Sequence, residues 1–114
     1  MENQIEALNQ VSEAIVDYKA LHNTLDFNET ETVLRLMVKL STNLDLLEDY
    51  LTEVRDAYYT DIVKMLKNHS ATEAEKRAKD LHPEKRMLER KIQSANKVFE
   101  AMKSHQSYLR NRNV

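Results

Sequence analysis

The chain has 114 residues, no glycine, no cysteine and one proline, with 41% hydrophobic residues, 32% charged residues and a formal charge of minus 2. That length accommodates one domain around one core, and the lack of residues that open tight hairpins disfavours sheet and favours long helices. Without cysteine, disulfides, thiol nucleophiles and thiolate metal sites are excluded, which suits a reducing compartment.

The first predicted helix runs from about Glu2 to His22. Leu8, Val11, Ile15, Tyr18 and Leu25, with His22 in the slot before the last, follow three-four spacing, so one apolar stripe faces a partner. Asp26, Phe27 and Asn28 interrupt the pattern, and Asn28 followed by Glu31 predicts an N-cap. The opening MENQIEALNQ is acidic and polar, unlike a signal peptide. No apolar run nears the roughly 20 residues of a membrane-spanning helix, so the expectation is a cytoplasmic protein.

The second predicted helix, Glu29 to Lys67, is the longest. Val33, Met37, Leu40, Leu44, Leu47, Leu51, Val54 and Tyr58 alternate by fours and threes, the period of a left-handed coiled coil. Ile62 and Met65 continue the stripe with a sideways shift. A helix of this length reaches roughly 55 to 60 Å, so it is expected to protrude or to be covered by a second chain.

The third predicted helix spans 71–81. Ser70 and Glu73 form a capping-box pattern, and Ala71, Ala74, Ala78 and Leu81 make a narrow stripe open to close helix approach. Pro83 disfavours helical geometry at His82 and suits the first turn of a new helix; a kink in one continuous helix is the alternative. The fourth predicted helix spans 84–109, with Leu88, Ile92, Ala95, Phe99, Met102, Gln106 and Leu109 as a second heptad seam. Gln106 is the one polar residue on that seam, marking either register or a frayed end, and Asn111 to Val114 are expected to be mobile.

Charge is unevenly divided. Met1 to Ile62 holds 13 acidic residues against 4 basic ones, and Val63 to Val114 holds 6 against 13. Such asymmetry points either to an anionic partner for the basic half or to pairing of the two halves. Lys76, Arg77 and Lys79 lie off the alanine stripe of the third helix; Arg86, Arg90 and Lys97, with Gln93 and Ser104, lie opposite the seam of the fourth. Cations turned away from a core are available to phosphates, which makes these six the candidate nucleic-acid-binding residues. A solvated face with Glu89 and Glu100 interspersed is the plain alternative.

Asp45, Glu48, Asp49, Glu53 and Asp56 form an acidic flank on the second helix, off its seam. Tyr58 and Tyr59 cannot share a helix face, so Tyr58 continues the core while Tyr59 stands outside; Tyr108 beside Leu109 is similar. Tyr59, Asp45, Glu48, Asp49 and Glu53 are therefore the candidate protein-interface residues. His22, His69, His82 and His105 sit at predicted helix ends or slots without the i, i+4 pairing of a helical metal site. No Glu-x-x-His tetrad of a di-metal bundle occurs, although an all-helical magnesium pyrophosphatase could draw on the acidic flank. A glycine-rich phosphate loop is excluded, and the expectation is a non-enzymatic protein with no cofactor and no metal.

An acidic first helix, a long second helix, the alanine-rich segment SATEAEKRAKDLHPEKR and a basic last helix ending KSHQSYLRNR resemble small all-helical bacteriophage and prophage proteins encoded among replication and recombination genes. The resemblance covers roughly Leu47 to Arg112. It implies an accessory that contacts single-stranded DNA or a recombination protein, in the bacterial host cytoplasm. The combined expectation is an all-α, elongated bundle built on an antiparallel coiled coil of helices two and four, self-associating, that binds nucleic acid through its basic half. The competing readings are a phage antagonist of a host or defence protein acting through the acidic half, and a purely structural oligomer.

Overall fold

The computed structural model describes residues 2–21 and 30–112, and all regular structure among them is helical. Four helices follow in order: α1 Glu2–Leu21, α2 Thr30–Met65, α3 Ala71–Leu81 and α4 Glu84–Arg112. The Asn28 cap, His22 and Leu25 lie outside the described residues. α2 stops at Met65 rather than Lys67, because the amides of Asn68 and His69 both turn back to the Met65 carbonyl, at 3.1 and 2.9 Å. α4 continues past Leu109 through Arg112, so Asn111 and Arg112 are helical rather than a mobile tail. No described residue has positive φ, so these turns are made without glycine.

The molecule is a rod of 64 × 26 × 21 Å with a radius of gyration of 18.7 Å; a compact chain of this length would have about 13 Å. α2 is its spine, 36 residues long and so about 54 Å. The other three helices cover one side of it in turn. α1 lies antiparallel against its first half, with Glu13 Oε1 2.9 Å from Lys39 Nζ and Gln4 beside Asp49 and Tyr50. α4 lies antiparallel along most of its length, from Lys85 above the Tyr58 ring, through Arg55 against Glu89, to Phe99 beside Met37. α3 packs on the last turns of α2 through buried Ala74 and Ala78, whose methyl side chains permit the close approach.

The buried stripe of α2 is Val33, Leu36, Leu40, Leu44, Leu47, Leu51, Val54 and Tyr58. Leu36 takes the place expected of Met37, which packs half-buried at the rim. The cause is α1: where three helices meet, the buried arc of α2 widens toward α1 and draws Leu36 in. The α4 seam contains Leu88, Ile92, Ala95, Met102 and Leu109 as expected, but Phe99 is only half-buried and His105 joins Gln106 inside. The α3 stripe is narrower than expected. Ala71 is exposed and Leu81 is 58% exposed, since only the middle of this short helix faces α2. No helix among the described residues is long and apolar enough to cross a membrane.

Candidate nucleic-acid interface

Local rules set the start of α3. Ser70 adopts extended geometry at φ −65° and ψ 162°, and its Oγ accepts the Glu73 amide at 3.2 Å, satisfying one amide that the first turn leaves free. Glu73 takes no reciprocal bond; its carboxylate accepts Arg77 Nε at 3.0 Å instead. Lys79 Nζ lies 3.7 Å from Glu75 Oε1. Arg77 and Lys79, expected to be uncompensated, are therefore each beside a carboxylate one turn back on their own helix, in exposed pairs worth a few tenths of a kcal/mol.

The other four candidate cations differ. Lys76, Arg86, Arg90 and Lys97 are exposed, and none forms an ion pair among the described residues. Arg86, Arg90, Gln93, Lys97 and Ser104 are all exposed on the side of α4 away from its seam.

Two residues separate α3 from α4. His82, at φ −128° and ψ 63°, still donates its amide to the Ala78 carbonyl at 3.0 Å. Pro83, with no amide hydrogen, ends the ladder, and the Lys85 amide closes a tighter turn onto the His82 carbonyl at 3.3 Å. Side chains brace this break. His82 Nε2 lies 2.6 Å from Asp61 Oδ2 of α2, and the imidazole meets the Tyr58 ring edge-on at 6.5 Å. Lys85 Nζ sits 4.7 Å above that ring while binding Glu89 Oε1 at 2.7 Å, and Arg55 approaches the other Glu89 oxygen at 3.4 Å. The Lys85 hydrogen bond, aided by the Arg55 charge, holds the Glu89 carboxyl below the ordinary glutamate range despite an opposing effect of burial.

The break shapes two hollows that share Pro83 and Arg86. One, of about 440 Å³, is lined by Tyr58, Lys79, His82, Pro83, Lys85, Arg86 and Glu89. The other, of about 500 Å³, is lined by Pro83, Arg86, Met87, Arg90, Lys91 and Ser94. Lys79 and Arg86 thus come together from different helices, and Arg90 joins Arg86 on the other side. Lys97 is set apart, in the shallow groove between α2 and α4 where Glu48, Glu89 and Glu100 also lie. Lys85 and Lys91 are additions that sequence reasoning missed. Lys85 had a signal, the i, i+4 spacing to Glu89; Lys91 had only its place next to Arg90.

On the acidic flank, Asp45, Glu48, Asp49 and Glu53 are exposed, and none forms an ion pair among the described residues. Tyr59 is 56% exposed while Tyr58 is 4% exposed, yet their rings meet edge-to-face at 5.2 Å. His105 lies in the slot between Met102 and Leu109 on the buried side of α4, with Nδ1 3.4 Å from the Tyr18 hydroxyl, and burial pushes the Tyr18 phenol above its usual pKa. Among the described residues no group of three or more His, Cys, Asp or Glu side chains is placed to hold a metal ion.

Compared with family models, curated proteins and solved structures, the chain finds no match in any of the three.

Proposed function

We propose that this chain is a non-enzymatic accessory protein that binds single-stranded nucleic acid through the α3–α4 break, in the manner of the phage replication and recombination proteins its sequence resembles. One observation carries the reading: Arg86, unpaired and exposed, stands between two hollows that add Lys79 and Lys85 on one side and Arg90 and Lys91 on the other. Glu89 neutralises Lys85 and Glu75 lies beside Lys79, which leaves Arg86, Arg90 and Lys91 to meet phosphates. Neutralising phosphates releases condensed counterions, and this supplies affinity without reading sequence. Exposed apolar surface at Met87 and Pro83 offers a base some contact, but the described residues form no stacking platform of several aromatics, so weak sequence preference is expected.

The test is fluorescence anisotropy of a labelled single-stranded oligonucleotide over about 50 to 200 mM salt, where each phosphate contact contributes about −0.7 to the slope of log affinity against log salt. A slope near about −2 supports contact by Arg86, Arg90 and Lys91. Absence of binding at the lowest salt removes the reading. A second reading, protein recognition by the acidic half, is supported by the unpaired carboxylates on α2.

A further inference from the structure

α2 keeps one long face that no described residue covers. Leu34 and Val38 are exposed near its start, Tyr59 and Val63 near its end with Leu66 just beyond it, and Asp45, Asp49 and Asp56 between them. These five apolar residues are nearly half of the large hydrophobic side chains exposed among the described residues, more than scattered surface apolars require. The exposed row on α4 has a matching layout. Asp45, Asp49 and Asp56 are separated by four and then seven positions, and so are Arg86, Arg90 and Lys97. Neither row is ion-paired within the chain among the described residues.

We propose that a second copy of this chain docks its α2 face, parallel, on the exposed row of α4, seating Asp45 on Arg86, Asp49 on Arg90 and Asp56 on Lys97. The same register lays Thr52 against Gln93, Val63 against Ser104 and Leu66 against Ser107, and sets Tyr59 at Glu100 with Ala101 next to it, all of them exposed. An antiparallel register aligns Asp45 with Lys97 and Asp56 with Arg86 but leaves Asp49 facing Gln93. The two surfaces are different, so the contact is heterologous and each copy carries one of each; association repeats from copy to copy rather than closing as a two-fold dimer. Because it uses Arg86 and Arg90, it competes with the nucleic acid, a consequence that rests on the reading above.

Sedimentation velocity of the full chain, free of nucleic acid, tests the docking by itself. At about 50 mM salt the average mass should be at least twice that of the monomer and rise with concentration, and it should fall toward the monomer at about 500 mM as screening shortens. D45R/D49R/D56R and R86D/R90D/K97D should each be monomeric, and their mixture should associate again; circular dichroism establishes that both remain helical. D45N/D49N/D56N gives the same loss with less disturbance. For register, D45R/R86D in one chain should recover association lost in D45R, and D45R/K97D should not; the opposite result overturns the parallel seating. A chain that stays monomeric at about 50 mM, or associates equally after charge reversal, overturns the docking. Oligonucleotide binding separates the two ideas. D45N/D49N/D56N should bind several-fold more tightly than the natural chain at concentrations where the latter associates; association without any oligonucleotide binding keeps the docking and removes the nucleic-acid reading.

Discussion

His82 Nε2 and Asp61 Oδ2, 21 positions apart in the chain, stand 2.6 Å from each other across the interruption between α3 and α4. The contact ties that interruption to the last third of α2 and sets where α4 begins, and with it the positions of Lys85 and Arg86. Both partners are largely withdrawn from water, so removing one leaves the other poorly solvated. His82→Ala is expected to cost about 1–2 kcal/mol, read as a fall of several degrees in the thermal midpoint by circular dichroism. An unchanged midpoint would show that Pro83 alone defines the break.

The core prediction separates two apolar positions on α2, Leu47 and Met37. Leu47 is fully buried, so Leu47→Ala should cost about 2–5 kcal/mol through lost transfer energy and the remaining cavity. Met37 sits at the rim, where Met37→Ala leaves a space open to water and should cost well under half as much. Urea denaturation midpoints of the two variants decide the order.

Two groups make stability depend on pH, in opposite directions. The folded state holds Glu89 as carboxylate, so its contribution is fully present above the ordinary glutamate value of 4.5 and is lost as pH falls through the lower folded value. Glu89 is partly exposed, so the effect is small, and Glu89→Gln should flatten the acid limb of the stability profile. Burial favours the protonated Tyr18 phenol, so its contribution is complete below the ordinary value of 10.0 and is lost as pH rises through the raised folded value. Tyr18→Phe should flatten the alkaline limb. Denaturation midpoints across the pH range check both.

Charge reversal should grade the cations by their partners. Arg86→Glu and Arg90→Glu should each weaken oligonucleotide binding about tenfold or more at low salt and reduce the salt slope by roughly 0.7 to 1. Arg77→Glu should do less, because Arg77 is already held by Glu73. Equal losses at all three positions would mean that net charge, not the break, governs binding.

Much of the fold was legible residue by residue. The Leu40, Leu44, Leu47, Leu51 run and the Leu88, Ile92, Ala95 run announce their buried faces, because a helix repeats every 3.6 residues and apolar side chains at that interval share one side. Ser70 and Pro83 act on backbone within a turn of themselves, and the chain shows their effects where they stand. The candidate site was legible only in part. Six cations were named from spacing, but Arg77 and Lys79 have carboxylates one turn away, and the hollows that unite Lys79 with Arg86 and Arg86 with Arg90 depend on how two helices meet.

Periodicity states the angle of a side chain about its own helix axis and nothing of which other helix lies at that angle. By itself, the sequence determined an all-helical chain, two heptad seams, a break at Pro83 and an acidic first half followed by a basic second half. Only the tertiary structure decided that α1, α3 and α4 cover α2 in turn, that Leu36 rather than Met37 is enclosed, that His105 meets Tyr18 from 87 positions away, and which charges remain without a partner. Those outcomes are set by contacts between helices, whose strength depends on distances in space that no interval along the chain records.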